Sequence, residues 1–220
     1  MENIQKNVLK IKSEIADTGK ITLVAISKSQ PIAKIRMALE AGQKHFGESY
    51  LQEALDKIKN LAGNHIIWHY IGRIQSNKTK LIAANFDWVQ SVASLKTAEL
   101  LNKHRPPQMD PLNICIQVNI SEEPSKSGVL TSEILTLAKK IHHELPSLKL
   151  RGLMAIPAYH KKFDDQLAVF KKLALEFEKL KQNGIPVDTL SMGMSHDFEA
   201  AIAAGATMIR IGSAIFGKRD

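Results

Sequence analysis

Short apolar runs alternate with segments of helical periodicity along the whole chain, and this alternation restricts the fold more than any other feature of the sequence. Eight runs have the length and composition of buried strands. They are Ile21–Ile26, Lys44–Phe46, Ile66–Tyr70, Trp88–Ser91, Leu112–Asn119, Leu148–Met154, Thr189–Ser191 and Met208–Ile211. Helical segments are predicted at residues 2–17, 31–41, 49–62, 76–84, 94–104, 131–144, 162–183, 197–204 and 213–217.

This order of elements predicts an α/β protein. Because each strand is followed by a helix, neighbouring strands are expected to pair in parallel through right-handed crossovers. Eight such units close into a (β/α)8 barrel, the TIM-barrel fold, with one extra helix at the N-terminus. With no linker, composition break or internal repeat in the sequence, we expect a single domain over residues 1–220.

An open, doubly wound sheet is the second architecture that this alternation allows. Its usual nucleotide sites are missing, since no GxGxxG follows the first strand and no Walker A sequence occurs in the chain. The barrel is therefore the preferred prediction.

Composition excludes several classes of protein. No apolar run approaches the roughly 18 residues of a membrane span, and the polar N-terminal segment does not resemble a signal peptide. We therefore expect a cytoplasmic protein that does not bind a membrane. The formal net charge is +8, but lysines and glutamates are mixed on helix faces and no aromatic residues interleave with a basic cluster. This pattern argues against nucleic-acid binding and favours small anionic ligands.

Metal and nucleophile motifs are weak. Cys115 is the only cysteine and lies in an apolar run, so we interpret it as a buried structural thiol. No histidine has a carboxylate or cysteine at the usual ligand spacing, so no metal is expected. The run Ser195-His196-Asp197 contains the residue types of a catalytic triad, but consecutive residues at a helix start point in different directions. Glu48 and Glu53 are interpreted as a helix-start acid and a surface acid.

Lys28 is the strongest candidate for chemistry. It follows the apolar run of the first strand directly and precedes Pro31, which begins a helix. In a barrel this position lies at the carboxyl ends of the strands, where active sites are found. A lysine with its stem in an apolar wall is favoured in the neutral, nucleophilic form that a Schiff base requires.

The loops after the last two strands predict a phosphate site. Such loops often bind phosphate in barrels through backbone N–H groups and the start of a short helix. Gly193 and Gly212 allow close approach of the backbone, and Ser195 and Ser213 add hydroxyl donors.

Seven ordered blocks, from the first strand to the last, resemble the pyridoxal phosphate homeostasis protein family, also called the proline synthase co-transcribed homologues. The blocks are Val24-Ala-Ile-Ser-Lys28, Phe46-Gly-Glu-Ser-Tyr50, Trp68-His-Tyr-Ile-Gly72, Val118-Asn-Ile-Ser121, Arg151-Gly-Leu-Met-Ala-Ile-Pro157, Leu190-Ser-Met-Gly-Met-Ser195 and Arg210-Ile-Gly-Ser-Ala-Ile-Phe-Gly217. The resemblance implies a fold like the N-terminal barrel domain of alanine racemase, a fold-type III pyridoxal phosphate protein.

The resemblance also implies a cofactor and its ligands. Pyridoxal 5'-phosphate is expected as a Schiff base on Lys28, with Arg210 facing the pyridine nitrogen. The residues expected around the phosphate are Ser191, Gly193, Met194, Ser195, Gly212 and Ser213. The implied role is to hold the cofactor and pass it to apo-enzymes that need it, as part of vitamin B6 homeostasis, with no strong catalysis. No catalytic residue is assigned, and a monomer is expected.

Two alternatives remain open. In the first, the chain is a small amino-acid racemase that uses Lys28 as one base. In the second, it is an interaction module with a vestigial cofactor site. Two positions also depart from the family pattern, which often has a second lysine and an asparagine where this chain has Gln30 and Ser49. Lys126 is a candidate to replace that second amine.

Overall fold

The computed structural model describes residues 3–123 and 127–217. Within these ranges eight parallel strands close into a barrel in chain order. The strands are β1 (Thr22–Ile26), β2 (His45–Glu48), β3 (Ile67–Tyr70), β4 (Trp88–Val92), β5 (Leu112–Val118), β6 (Leu148–Ala155), β7 (Thr189–Ser191) and β8 (Met208–Ile211). Pairing of β8 with β1 completes the barrel. The predicted (β/α)8 architecture is confirmed, and the open sheet is excluded.

Helices follow the strands and surround the barrel. They are α1 (Ile4–Glu14), α2 (Ile32–Glu40), α3 (Leu51–Asn60), α4 (Thr79–Asn85), α5 (Leu95–His104), α6 (Ile134–Glu144), α7 (Phe163–Gln182), α8 (Phe198–Ala203) and α9 (Ser213–Phe216). The first helix is the predicted extra one, and it packs on α2 and α9. All eight strands and these nine described helices lie within a few residues of the predicted positions.

The predicted extent of the first helix, residues 2–17, is wrong at its C-terminal end. Helix α1 ends at Glu14, and Ala16–Thr18 form a separate 3-10 turn. The Thr18 hydroxyl donates to the carbonyl of Ile15 at 2.8 Å, which closes this turn in place of another α-helical turn. Gly19 follows with φ 100°, a left-handed conformation that redirects the chain into β1. At the other end, residue 2 lies outside the described residues.

Helix α7 shows how the outer layer is packed. Of its 20 residues, Phe170, Leu173, Phe177 and Leu180 are buried, and their spacing of three or four places them on one face. Lysines and glutamates occupy the opposite face, with ion pairs three residues apart such as Lys179–Glu176 at 2.7 Å. None of the helices in the described ranges is long and apolar enough to cross a membrane.

Two kinds of side chain fill the barrel interior. A small apolar cluster consists of Val24, Ile26, Trp88, Cys115, Met154 and Met208. Cys115 is fully buried, and this burial raises the pKa of its thiol to about 12, as expected for an inert structural cysteine. The other kind is polar: His69, Gln90, Ser191 and Arg210 are also buried inside the barrel. These polar residues lead to the carboxyl-terminal face of the strands.

Candidate functional site

Lys28 lies in a tight turn at the carboxyl end of β1. The N–H of Gln30 donates to the carbonyl of Ser27 at 3.0 Å, so Lys28 and Ser29 occupy the two central positions of the turn. Ser29 has φ 59°, a left-handed conformation that is uncommon for a residue with a side chain. The side chain of Lys28 is half-buried and lines a pocket at the mouth of the barrel.

A buried ion pair lies directly beneath this turn. The amine of Lys57 donates to the carbonyl of Ser27 at 2.6 Å and to Oε1 of Glu48 at 2.8 Å. The Ser27 hydroxyl donates to the same Oε1 atom at 2.5 Å. Since Lys57 is 4% exposed and Glu48 is 0% exposed, water does not screen this pair. The backbone that positions Lys28 is therefore anchored by a cation on α3.

Glu53 anchors the turn from its other side. Its Oε1 atom accepts the backbone N–H of Ser29 at 2.6 Å and the Lys57 amine at 2.5 Å. A carboxylate that accepts the Ser29 N–H helps to hold the left-handed conformation of that residue. Lys57 and Glu53 thus fix the peptide groups on both sides of Lys28.

The interpretation of Glu48 as a helix-start acid is wrong. Glu48 is the last residue of β2 and points into the protein, and Glu53 holds the Lys28 turn. Burial raises the pKa of Glu48, and hydrogen bonds from Lys57 and Ser27 oppose this rise. Its second oxygen, Oε2, is buried without a hydrogen-bond partner. The sequence signal for this cluster was Lys57, a lysine at a core-facing position of an amphipathic helix.

The pocket beside Lys28 has a volume of about 540 Å³. Its lining contains six of the eight predicted site residues: Lys28, Met194, Ser195, Arg210, Gly212 and Ser213. Ser49 and His196 are among the other lining residues. The structure therefore brings the end of β1 together with the loops after β7 and β8.

Ser191 and Gly193 lie behind the pocket wall. Ser191 is fully buried at the end of β7, where it contacts Arg210. Gly193 has φ 94°, and a Cβ atom there would be 2.7 Å from the Cβ of Ala201. A larger side chain at residue 193 would therefore push α8 away from the loop. The carbonyl of Gly193 accepts the backbone N–H of Arg210 at 3.0 Å, which joins β7 to β8.

The two predicted phosphate loops contact each other. Ser195 Oγ accepts the backbone N–H of Ala214 at 3.3 Å, so the hydroxyl of one loop bonds the first turn of the next. Asp197 accepts the N–H of Met194 at 2.6 Å and holds the first loop in its turn. Ser213 is exposed at the start of α9, whereas Ser195 is half-buried.

Arg210 is a buried cation with neutral partners. Its Nη1 donates to Ser191 Oγ at 2.7 Å, and its Nη2 donates to the carbonyl of Ala155 at 2.9 Å. Burial lowers the pKa of Arg210 to about 10, while the more distant charge of Asp197 opposes this shift. Arg210 is therefore charged at neutral pH and fixed in place at the floor of the pocket.

A second, larger cleft of about 610 Å³ lies along α7. Its described lining includes Glu122, His160 and Lys172, and none of the eight predicted site residues. Residues of six of the seven blocks line the smaller pocket, among them the polar side chains of Lys28, Ser195 and Arg210, so volume does not decide which cleft is functional. In the described residues, no group of three or more histidines, cysteines or carboxylates could hold a metal ion.

The positions that depart from the family pattern lie at different depths. Gln30 is buried in the turn after Lys28, whereas Ser49 lines the pocket. Gly72 packs against the backbone of Ser49, and a Cβ atom at residue 72 would collide with the Ser49 carbonyl. Lys126, the candidate replacement amine, lies outside the described residues.

Comparison with known proteins decides the family. The sequence matches the family of the alanine racemase N-terminal domain over residues 1–220. It is 46% identical over 231 aligned residues to the pyridoxal phosphate homeostasis protein of Escherichia coli K12, with 100% of this chain and 98% of that protein aligned. This chain belongs to the pyridoxal phosphate homeostasis protein family. The protein of the same name from Vibrio alginolyticus is 47% identical, with 100% of this chain and 99% of that protein aligned.

Solved structures agree with this membership. PipY of Synechococcus elongatus PCC7942, in a structure with pyridoxal phosphate bound, superposes with a TM-score of 0.89 at 33% identity, covering 97% of this chain and all of PipY. Alanine racemase from Corynebacterium glutamicum superposes with a TM-score of 0.76 at 16% identity, covering 99% of this chain and 61% of the racemase. The second likeness shows a shared barrel fold.

Proposed function

We propose that this chain binds pyridoxal 5'-phosphate as a Schiff base on Lys28, serves in vitamin B6 homeostasis and delivers the cofactor to apo-enzymes. Two similarities support this function. Full-length relatives at 46% and 47% identity are pyridoxal phosphate homeostasis proteins. PipY, which matches this chain over nearly its whole length, has been solved with the cofactor bound.

The observation that carries the proposal is the convergence of an amine, a guanidinium and the hydroxyl groups of the loops after β7 and β8 on one pocket of about 540 Å³. These groups match a phosphorylated pyridine aldehyde. An amine bonds an aldehyde covalently, hydroxyl and backbone N–H groups bind phosphate, and a guanidinium faces a ring nitrogen. The residues present therefore fit the cofactor.

Each lining residue has a proposed role. Lys28 supplies the amine that attacks the aldehyde carbon, and one water leaves as the C=N bond forms. Met194, Ser195, Gly212 and Ser213 surround the phosphate. Ser191 and Gly193 support this site from behind, through Arg210 and the loop backbone.

Arg210 has an electronic role in this proposal. Pyridoxal phosphate supplies an electron sink for amino-acid chemistry, and a protonated ring nitrogen strengthens that sink. The positive charge of Arg210 opposes a second positive charge beside it. A weakened sink suits a protein that holds the cofactor without using it.

Cofactor transfer distinguishes this proposal from the racemase alternative. Holo-protein, freed of unbound cofactor, is mixed with an apo-form of a pyridoxal phosphate enzyme, and the activity of that enzyme is followed. A parallel sample is incubated with L-alanine in deuterated water. We expect activation of the apo-enzyme and no sustained exchange of the α-proton. Exchange at enzymatic rates, without transfer, would establish the racemase instead.

We expect the Arg210→Ala protein to keep the covalent adduct but to change its absorbance. Without the guanidinium charge, the ring nitrogen can take up a proton, which alters the electronic state of the adduct. A pH titration of the visible spectrum measures this change. Arg151→Ala is the matched control, because Arg151 pairs with Asp188 and does not line the pocket. Identical spectra for Arg210→Ala and the unsubstituted protein would contradict the assignment.

Removing both loop hydroxyls should weaken cofactor binding without abolishing it. Hydrogen bonds to a charged group contribute about 1.5–3 kcal/mol each, and backbone N–H groups compensate in part. We therefore expect Ser195→Ala/Ser213→Ala to raise the Kd by about 10- to 100-fold. Ser121→Ala is the control, since Ser121 lines the other cleft. An unchanged Kd, measured by equilibrium dialysis, would place the phosphate elsewhere.

We also propose that residues 1–220 form one domain that acts as a monomer in the cytoplasm. Light scattering of the holo-protein measures the oligomeric state, and limited proteolysis tests for a single cooperative unit. Fractionation of cells tests the location.

A further inference from the structure

A row of hydrogen-bonded side chains crosses the barrel from the pocket to its opposite end. Arg210 contacts Ser191, and Ser191 Oγ lies 2.7 Å from Oε1 of Gln90. Nε2 of Gln90 lies 2.9 Å from Nδ1 of His69. Nε2 of His69 lies 3.0 Å from Nδ1 of His45, which is half-buried at the first residue of β2. The other four members are buried.

The chemistry of Arg210 sets the direction of every bond in this row. A guanidinium only donates, so Ser191 Oγ must accept from Arg210, and its own hydrogen is available for Gln90. The Gln90 oxygen accepts that hydrogen, which turns the amide N–H₂ toward His69. On its other side, Nε2 of Gln90 lies 3.2 Å from the sulfur of Met208, a second acceptor. In this orientation the Gln90 oxygen accepts from Ser191, and the amide N–H₂ donates to His69 and Met208.

The two histidines continue the same direction. Because Gln90 donates to Nδ1 of His69, the proton of that ring must be on Nε2. His69 then donates to Nδ1 of His45, whose proton is on Nε2. Burial lowers the pKa of both rings, and in His69 the shift is large. Both rings are neutral at pH 7, as this arrangement requires.

A polar row is an unusual filling for a barrel interior. Branched apolar side chains normally occupy this space, and an apolar set of similar volume is often as stable as a buried polar network. Stability alone therefore does not account for Gln90 and His69. What the row does is orient the Ser191 hydroxyl, so that a lone pair faces Arg210 and the hydrogen points away from it.

We propose that Gln90 is a positioning residue for Arg210: its amide oxygen holds the Ser191 hydroxyl in the orientation that accepts from Arg210, and the His69–His45 pair accepts the amide N–H₂ at the other end of the row. The guanidinium is thereby held in one orientation at the floor of the pocket before any ligand arrives. The inference rests on the proposed function in one respect, namely that Arg210 faces the bound cofactor. The orientation of Arg210 by Gln90 is itself a property of the cofactor-free protein.

The test is NMR of the cofactor-free protein labelled with ¹⁵N in histidine and arginine. In the unsubstituted protein we expect His69 as the neutral Nε2–H tautomer and separate Nη signals from a restrained Arg210. In Gln90→Leu, which has similar volume and no amide, the Ser191 hydroxyl loses its fixed orientation, so the Nη signals of Arg210 should move together as the guanidinium is less restrained. After loading with pyridoxal phosphate, the absorbance should shift in the same direction as in Arg210→Ala.

Gln43→Leu is the matched control. Gln43 is 2% exposed and is buried like Gln90, but its amide donates to the backbone carbonyls of Leu23 and His45 and not to a side chain of the row. The control should leave the Arg210 signals unchanged. An equal change in both variants, or a His69 proton on Nδ1, would overturn the proposal. If Gln90→Leu does not fold, the unsubstituted protein still tests the proposal, because merged Nη signals of Arg210 or a His69 proton on Nδ1 would overturn it. If the protein did not bind the cofactor, the NMR signals of Arg210 and His69 in the cofactor-free protein would be unchanged. The failure of the proposed function can therefore be distinguished from the failure of this inference.

Discussion

Lys28→Ala protein is expected to form no covalent adduct with pyridoxal 5'-phosphate. The alanine side chain has no amine, so no C=N bond to the aldehyde can form. We expect loss of the visible absorbance band and no label after borohydride reduction, which fixes a Schiff base as a stable secondary amine. Peptide mass mapping of the reduced, unsubstituted protein should locate the label in the fragment that contains residue 28.

Lys28→Arg separates the role of the amine from the role of the charge. Arginine keeps a cation at this position but stays protonated, so it cannot act as the nucleophile. We expect it to match Lys28→Ala in lacking the adduct, while retaining more non-covalent affinity for the phosphate. Lys10→Ala, an exposed position on α1 paired with Glu14, is the control and should label normally. A label that persists in Lys28→Ala and maps to Lys126 or another lysine would contradict the assignment.

The barrel was predictable because its signal is periodic and repeated. Each buried strand is a short apolar run, and each outer helix has an apolar stripe, so the order of elements alone favours closure after eight units. The bounds of β7 and β8 agree with the predicted strands at both ends. The first helix shows the limit of this signal, because the hydroxyl of Thr18 and the conformation of Gly19 end it locally.

The pocket lining was predictable to the extent that it follows strand ends. Parallel strands in a barrel all have their carboxyl ends on one face, so Lys28 and the loops after β7 and β8 had to meet. The depth of each residue was not predictable in the same way. Ser191 and Ser195 are four residues apart, yet one is buried against Arg210 and the other lines the pocket.

The two polar networks were beyond simple sequence patterns. The Glu48–Lys57 pair and the row through Gln90 each join residues from different elements, which periodicity does not relate. A signal did exist, because Gln90 and His69 are polar residues within runs that otherwise read as buried strands. A polar residue in such a run must have a buried partner, although its identity depends on the register between strands.

The two networks hold opposite sides of the same pocket. Lys57 and Glu53 fix the backbone around Lys28, which is proposed to bind the aldehyde. Gln90 and Ser191 orient Arg210, which is proposed to face the ring. Because both networks are buried, the geometry of the pocket depends on residues that never touch the ligand.

Lys57→Met is expected to destabilise the fold by about 3–5 kcal/mol, the range measured when one partner of a buried ion pair is removed. Methionine fills a similar volume but leaves Glu48 without the Lys57 cation and removes one of the two donors to the Ser27 carbonyl. Urea unfolding followed by circular dichroism measures the change. Lys179→Met is the surface control, since Lys179 is exposed and its pair with Glu176 three residues earlier should contribute at most about 0.5 kcal/mol.

Adding Glu48→Gln to Lys57→Met should restore much of the lost stability and remove the pH dependence of the loss. Because burial raises the pKa of Glu48, the folded protein keeps a proton there to a higher pH than the unfolded chain does. The contribution of Glu48 to stability is therefore fully present below the unfolded pKa and is lost as pH rises through the folded pKa.

Without Lys57 the folded pKa of Glu48 rises further, so Lys57→Met should lose more stability at pH 8 than at pH 5. In Lys57→Met/Glu48→Gln this difference should disappear, because the neutral amide does not titrate. A Lys57→Met cost that is equal at both pH values and unaffected by Glu48→Gln would show that the buried charge of Glu48 is not its cause.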